Sequence, residues 1–211
     1  MPTEILSKNQ YQLSIMQTVA IEGTLRSEFG KKTAKAVRAN EQVPCVIYGG
    51  EKVVNFVTHK NSFASLVYTP DFKIAEISLD GVTYRGIVKA IQFHPVSEAI
   101  LHVDFVELVS GQKVRANVPL RVIGQAAGSK KGGTLSQKVR RVEIMTTPES
   151  LVDAMEVDVT NLDLAMSARI RDIKEVAGVT VLNAPAIPVV TIDVPRALRS
   201  AETKAATPGK K

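Results

Sequence analysis

His102 and Asp104, two positions apart in the run AILHVDFVEL, are the first pair in this chain whose types could do chemistry. On a strand, side chains at i and i+2 share a face, about 7 Å apart along the chain. An imidazole beside a carboxylate can hold one tautomer, ligate a metal or contact RNA. The plainer reading is a hydrogen-bonded surface pair. The other histidines, His59 and His94, supply no third and fourth ligand at a diagnostic spacing. A metal-dependent hydrolase using His102 and Asp104 is therefore kept only as an alternative. No Ser or Cys sits in a nucleophile elbow, and Cys45 in PCVIY reads as a small core residue. Gly30-Lys31-Lys32-Thr33 fails the phosphate-loop pattern at both ends. Position 25 is Leu, and Lys32 follows Lys31 where Ser or Thr is required. GSKKGG lacks the strand-to-helix setting of a dinucleotide fingerprint. No catalytic residue, cofactor or small-molecule substrate is expected.

The second constellation is electrostatic. From Arg26 to Arg38 there are five bases against Glu28 alone. Lys31, Lys35 and Arg38 are spaced i, i+4, i+7, which puts them on one face of a helix, with Arg26 just ahead. A basic run is most often only a solvated face. This one is unmatched by acids and adjoins Tyr48-Gly49-Gly50, where a phenol and exposed backbone could reach a sugar or base. Structured RNA is read mainly through shape, phosphates and 2′-hydroxyls in its wide minor groove. That demands Arg, Lys and a few hydrogen-bonding groups but little stacking. The chain has 5% aromatic residues and no Trp, which fits.

The 211 residues carry 27 bases and 21 acids, a net charge of +6. Residues 17–109 are neutral, 110–195 carry +2, and the tail 196–211 carries +4. The tail has no apolar periodicity and reads as disordered. It supports a third reading, a generic binder of anionic surfaces driven by the tail. One cysteine excludes an intramolecular disulfide framework and multi-cysteine metal sites. No apolar run approaches the ~20 residues of a membrane span, and no membrane partner is expected.

The elements that must position these residues read as mainly β, an α+β chain. QTVAIEGTLR (17–26) alternates as a strand, with Val19, Ile21 and Leu25 on one side. KKTAKAVRAN (31–40) reads as a short helix. Cys45 to Tyr48 and 53–57 are strands. Asn61 or Ser62 is placed to cap a helix to about Tyr68. Strands 72–79 and 82–91 flank Asp80-Gly81, a hairpin dipeptide. In 99–108 the alternation puts Ala99, Leu101, Val103 and Phe105 on one face, His102 and Asp104 on the other. Ser110-Gly111 is the expected domain boundary. Beyond it, VRANVPLRVIG, LSQKVRRVEIM, MEVDV, ARIRDI and 189–192 recur between Gly and Pro as a second β domain, 110–195. Gly124 to Gly133 reads as a flexible loop. Residues 1–15 fit no element, 1–16 read as an N-terminal extension and a candidate for disorder, and Met16, at the start of the first strand run, is a second candidate start.

Four pieces in this order carry a resemblance. Arg26-x3-Gly30-Lys31 comes first, then Lys35 and Arg38. Val43-Pro44-Cys45-Val46-Ile47-Tyr48-Gly49-Gly50 follows, and then His94-Pro95 with His102-Val103-Asp104-Phe105. The set resembles the bacterial 5S-rRNA-binding ribosomal proteins, the twenty-fifth protein family of the large subunit, in its long two-domain form (the Ctc or general stress protein type). It covers 17–109. Residues 110–195 are similar to the family's second β domain through Val118-Pro119, Gly128, Gly132-Gly133 and Val157-Asp158-Val159.

The resemblance implies a first domain that is a β-barrel with short helices, docked on 5S rRNA in the central protuberance. By position, Arg26, Lys31, Lys35 and Arg38 would contact phosphates and sugars. Tyr48 and Gly49 would lie against the ribose-phosphate chain, and His102 and Asp104 would hydrogen-bond across the minor groove. Lys35 stands where Arg is common, keeping charge but losing the planar fork. The implied protein is a cytoplasmic, structural constituent of the large ribosomal subunit. Its second domain would meet neighbouring rRNA or ribosomal proteins.

Overall fold

The computed structural model describes residues 16–195. The expectations for residues 1–15 and for the tail 196–211 lie outside the described residues. The expected mainly-β fold is what the chain adopts. It has a six-stranded barrel, a few short helices and further β-sheet.

The barrel strands are β1 (Thr18–Leu25), β2 (Gln42–Tyr48), β3 (Val54–His59), β4 (Ile74–Leu79), β5 (Val82–Phe93) and β6 (Ile100–Glu107). They close in the order β1-β3-β2-β6-β5-β4. Neighbours are antiparallel except β1 with β4 and β2 with β6. Inward residues alternate with outward ones, so each strand gives half its side chains to one shared core. Phe56, Phe63 and Phe105 fill its centre, ring centroids 6.0 Å and 6.4 Å apart around Phe105. Ile21, Ile47, Ile77, Leu79 and Val103 pack with them, and Cys45 is the small core residue expected. Pro44 is tolerated in β2 because the parallel ladder to β6 starts only at Cys45. Asp80 and Gly81, both at positive φ, turn the β4–β5 hairpin as read.

Three local expectations need correction. Leu25 is exposed, and Gly23 takes the inward slot before it. In β6, register shifts by one residue between the Gln92–His102 and Phe93–Ile100 pairs. This bulge at Leu101 resets the alternation, so Ile100 turns inward and Ala99 is exposed. After β3 the chain makes a 3₁₀ turn (Lys60–Phe63) and then the short helix α2 (Ala64–Val67). Neither Asn61 nor Ser62 caps the helix: the His59 side chain accepts from the Asn61 amide to cap the 3₁₀ turn, and α2 follows from Phe63 with no side-chain cap.

The remaining strands are β7 (Val114–Ile123), β8 (Thr134–Gln137), β9 (Arg141–Thr146), β10 (Met155–Asp158), β11 (Ser167–Arg169), β12 (Val179–Val181) and β13 (Pro188–Asp193). They form a four-stranded sheet, β10-β7-β9-β12, and a three-stranded one, β11-β13-β8. In β7, buried Val114, Ala116, Val118 and Leu120 alternate with exposed Arg115, Asn117 and Arg121, as the sequence pattern predicts. The 124–133 stretch is not a loose loop. Ala127–Lys130 forms a helical turn, and Gly128 is buried so closely on Asp163 and Leu164 that a Cβ would lie 2.7 Å from their backbone atoms. The chain divides into two compact units. Among the described residues, one holds 16–118 with 143–153 and 177–180; the other holds 119–142, 154–176 and 181–195.

Candidate nucleic-acid interface

The barrel's outer face beside β2 and β6 carries half the candidates. β2 and β6 run parallel, with Val46 opposite Asp104 and Tyr48 opposite Val106. Tyr48, His102 and Asp104 all take outward positions and are half-buried. The His102–Asp104 pair forms as expected, Nδ1 to Oδ1 at 2.6 Å, with each side chain just under one-third exposed. That contact engages Nδ1 and leaves Nε2 as the ring nitrogen not used by it. Burial first, and the Asp104 charge second, push the Tyr48 phenol above its ordinary pKa. The phenol is therefore a standing hydrogen-bond donor at neutral pH. Gly49 follows with φ 100, and a Cβ there would press on Val106 at 3.2 Å. Any other residue would close off the backbone that Gly49 exposes.

The other half sits on helix α1 (Lys31–Ala39) and the turn before it. The helix forms after Gly30, whose φ of 125 excludes most other residues, and it has no buried residue. Lys31, Lys35 and Arg38 are all exposed. Arg38 Nε donates to the Leu101 carbonyl at 3.1 Å, so the helix end is tied to the strand that carries His102. Arg26 is held differently. Its Nη2 donates to Thr33 Oγ1 at 3.2 Å, and its guanidinium carbon lies 5.6 Å from the Phe29 ring centroid. Thr33 in turn donates to the Gly30 carbonyl. No carboxylate is among these partners, so the Arg26 charge is oriented without being neutralised.

His94 and His59 are local fasteners. His94 Nδ1 accepts from the Val96 and Ser97 amides, closing the turn between β5 and β6. Among the described residues no group of three His, Cys, Asp or Glu is placed to hold a metal. The hydrolase alternative thus gains no ligand beyond the His102–Asp104 pair from which it started.

Comparison with known proteins gives two adjoining matches. Residues 21–105 match the family model described as the ribosomal L25p family. Residues 113–196 match that of the ribosomal protein TL5, C-terminal domain. A Cytophaga hutchinsonii protein named large ribosomal subunit protein bL25 is 39% identical over 191 residues, covering 90% of this chain and 99% of its own. Proteins of the same name from Amoebophilus asiaticus and Porphyromonas gingivalis are 36% and 35% identical, over 93% and 90% of this chain and 100% and 99% of theirs. This chain belongs to the ribosomal L25p family.

All eight candidate residues fall inside the segment matched to the L25p family. The L25p barrel also brings up a side chain that the sequence reading missed. Gln92 pairs with His102 across β5 and β6 and is exposed beside it. Its amide can both donate and accept. The bulge hid it, because pairing read from strict alternation does not set Gln92 against His102.

Proposed function

We propose that this chain binds 5S rRNA through the outer face of β2 and β6 together with helix α1. As a member of the ribosomal L25p family it is a structural constituent of the large ribosomal subunit and not an enzyme. The relatives it matches are named as large-subunit proteins, which supports work on the ribosome and, with it, in the cytoplasm.

The observation that carries the reading is the Arg38–Leu101 hydrogen bond. It joins a helix of exposed bases to a strand of hydrogen-bonding side chains, giving one continuous surface with both kinds of contact. Arg26, Lys31, Lys35 and Arg38 meet phosphates, while Tyr48, Gly49, His102 and Asp104 meet riboses and base edges. Residues 17–109 form the RNA-binding domain. Residues 110–195 form a second domain that meets neighbouring rRNA or protein. The two family matches support this division, ending at 105 and resuming at 113.

The test is binding of the full chain to 5S rRNA, alongside Asp104→Ala. A site that reads 2′-hydroxyls or amines through this carboxylate loses affinity in the variant, although its net charge becomes more positive. A purely electrostatic binder gains affinity instead, and that result would falsify the proposal. Comigration of the chain with large subunits, lost when 5S rRNA is removed, is the companion expectation in cell extracts.

A further inference from the structure

We propose that Phe29 is a stacking platform for a nucleobase of the bound RNA, with the Arg26 guanidinium as its fixed neighbour. This rests on the RNA-binding reading above and adds a kind of contact that the eight candidates lack. Phe29 is 63% exposed, among the most open large apolar side chains of the barrel segment. It lies in the turn before α1, where Gly30 at φ 125 sends the chain into the helix. The Arg26 guanidinium covers part of the ring at 5.6 Å and is itself steadied by Thr33. The rest of the ring faces solvent.

The chemistry of that spot narrows its partner. A phenyl ring offers a flat apolar face and no hydrogen bond. Its surroundings, from Arg26 to Arg38, are five bases and one acid. A partner must present a flat apolar face and be carried on an anionic chain. A nucleobase meets both demands, because every base has a π-face and is tethered to phosphates. An apolar protein surface meets only the first. Arg26 over one part of the ring leaves the remainder open to a base and keeps a positive charge beside it. The sequence contains no Trp, so a tryptophan introduced here reports on this site alone.

The experiment titrates full-length F29W with 5S rRNA while following tryptophan emission. Emission is expected to be quenched and to become shielded from acrylamide as the complex forms. Inorganic polyphosphate, which brings charge without bases, is expected to leave it unquenched. Phe29→Ala is expected to weaken 5S rRNA binding by roughly tenfold or more, the usual size of one lost base–aromatic stack. The salt slope should stay unchanged, because no phosphate contact is lost. Unchanged emission with saturating RNA, equal quenching by polyphosphate, or unaltered affinity in Phe29→Ala each overturns the platform. A slope lowered by about one unit in Phe29→Ala also overturns it, since the ring would then serve only to position Arg26. These outcomes presume a binding parent chain. If the unaltered chain fails to bind 5S rRNA, the parent reading falls first and this one with it.

Discussion

Asp104 is the one acid among the eight candidate contacts, and its surroundings explain how it is tolerated. It is joined to His102 at 2.6 Å, and among the described residues no Lys or Arg forms a salt bridge with it. Its charge also reaches inward. Together with a much larger effect of burial, it pushes the Cys45 thiol far above its ordinary pKa. Cys45 is 2% exposed, and its Sγ contacts the Val43 carbonyl at 3.4 Å. The thiolate is the reactive form, so the folded chain should be nearly inert toward a disulfide reagent at pH 8. The chain has a single cysteine, and one thiol per chain should appear promptly once urea unfolds it. Prompt reaction in the native state would mean that the barrel opens at β2 under ordinary conditions.

Among the elements, β1 closes the barrel, and Gly23 is the tightest point of that closure. A Cβ on Gly23 would fall 2.7 Å from Phe56 Cδ2, 2.9 Å from Leu79 Cδ2 and 3.1 Å from the Val57 carbonyl. The side-chain tips can yield only into a filled core, and the backbone oxygen cannot move without shifting β3. Gly23→Ala is therefore expected to destabilise the fold by about 1–3 kcal/mol, the usual cost of overpacking. A lower urea midpoint with an unchanged slope would register it. An unchanged midpoint would mean that β1 stands further off β3 than the register Thr24–Val57 implies. The strands themselves were legible because alternation and hairpin dipeptides are local signals. The barrel's closure was not, because the parallel β1–β4 and β2–β6 pairings join segments far apart in sequence. The bulge at Leu101 was not legible either, since no glycine or proline marks it. The candidate residues were chosen by type and order. The arrival of Gln92 beside His102 depends on that unmarked bulge, and the Arg38–Leu101 hydrogen bond joins segments 63 residues apart.

At the scale of the whole molecule, the net charge of +6 is a poor guide to where the proposed RNA contact lies. The segment 17–109 is neutral overall, while residues 196–211 hold five bases and one acid. Two mechanisms for RNA affinity then make opposite demands. Counterion release scales with the number of phosphates neutralised, about 0.9 of a log unit in slope for each on a duplex. It applies to any RNA that meets the tail. The proposed reading by Tyr48, His102 and Asp104 would apply only where the groove presents the right groups. Removing residues 196–211 should therefore lower affinity for 5S rRNA and for a random RNA of equal length by similar factors, leaving their ratio intact. Arg26→Ala in the full chain should reduce the 5S rRNA salt slope by about one unit. Filter binding over a series of salt concentrations measures both. If the tail is the true determinant, its deletion collapses the 5S rRNA affinity, and Arg26→Ala leaves the slope as it was. If the barrel is, the shortened chain still prefers 5S rRNA, and its remaining slope falls again when Arg26 is removed.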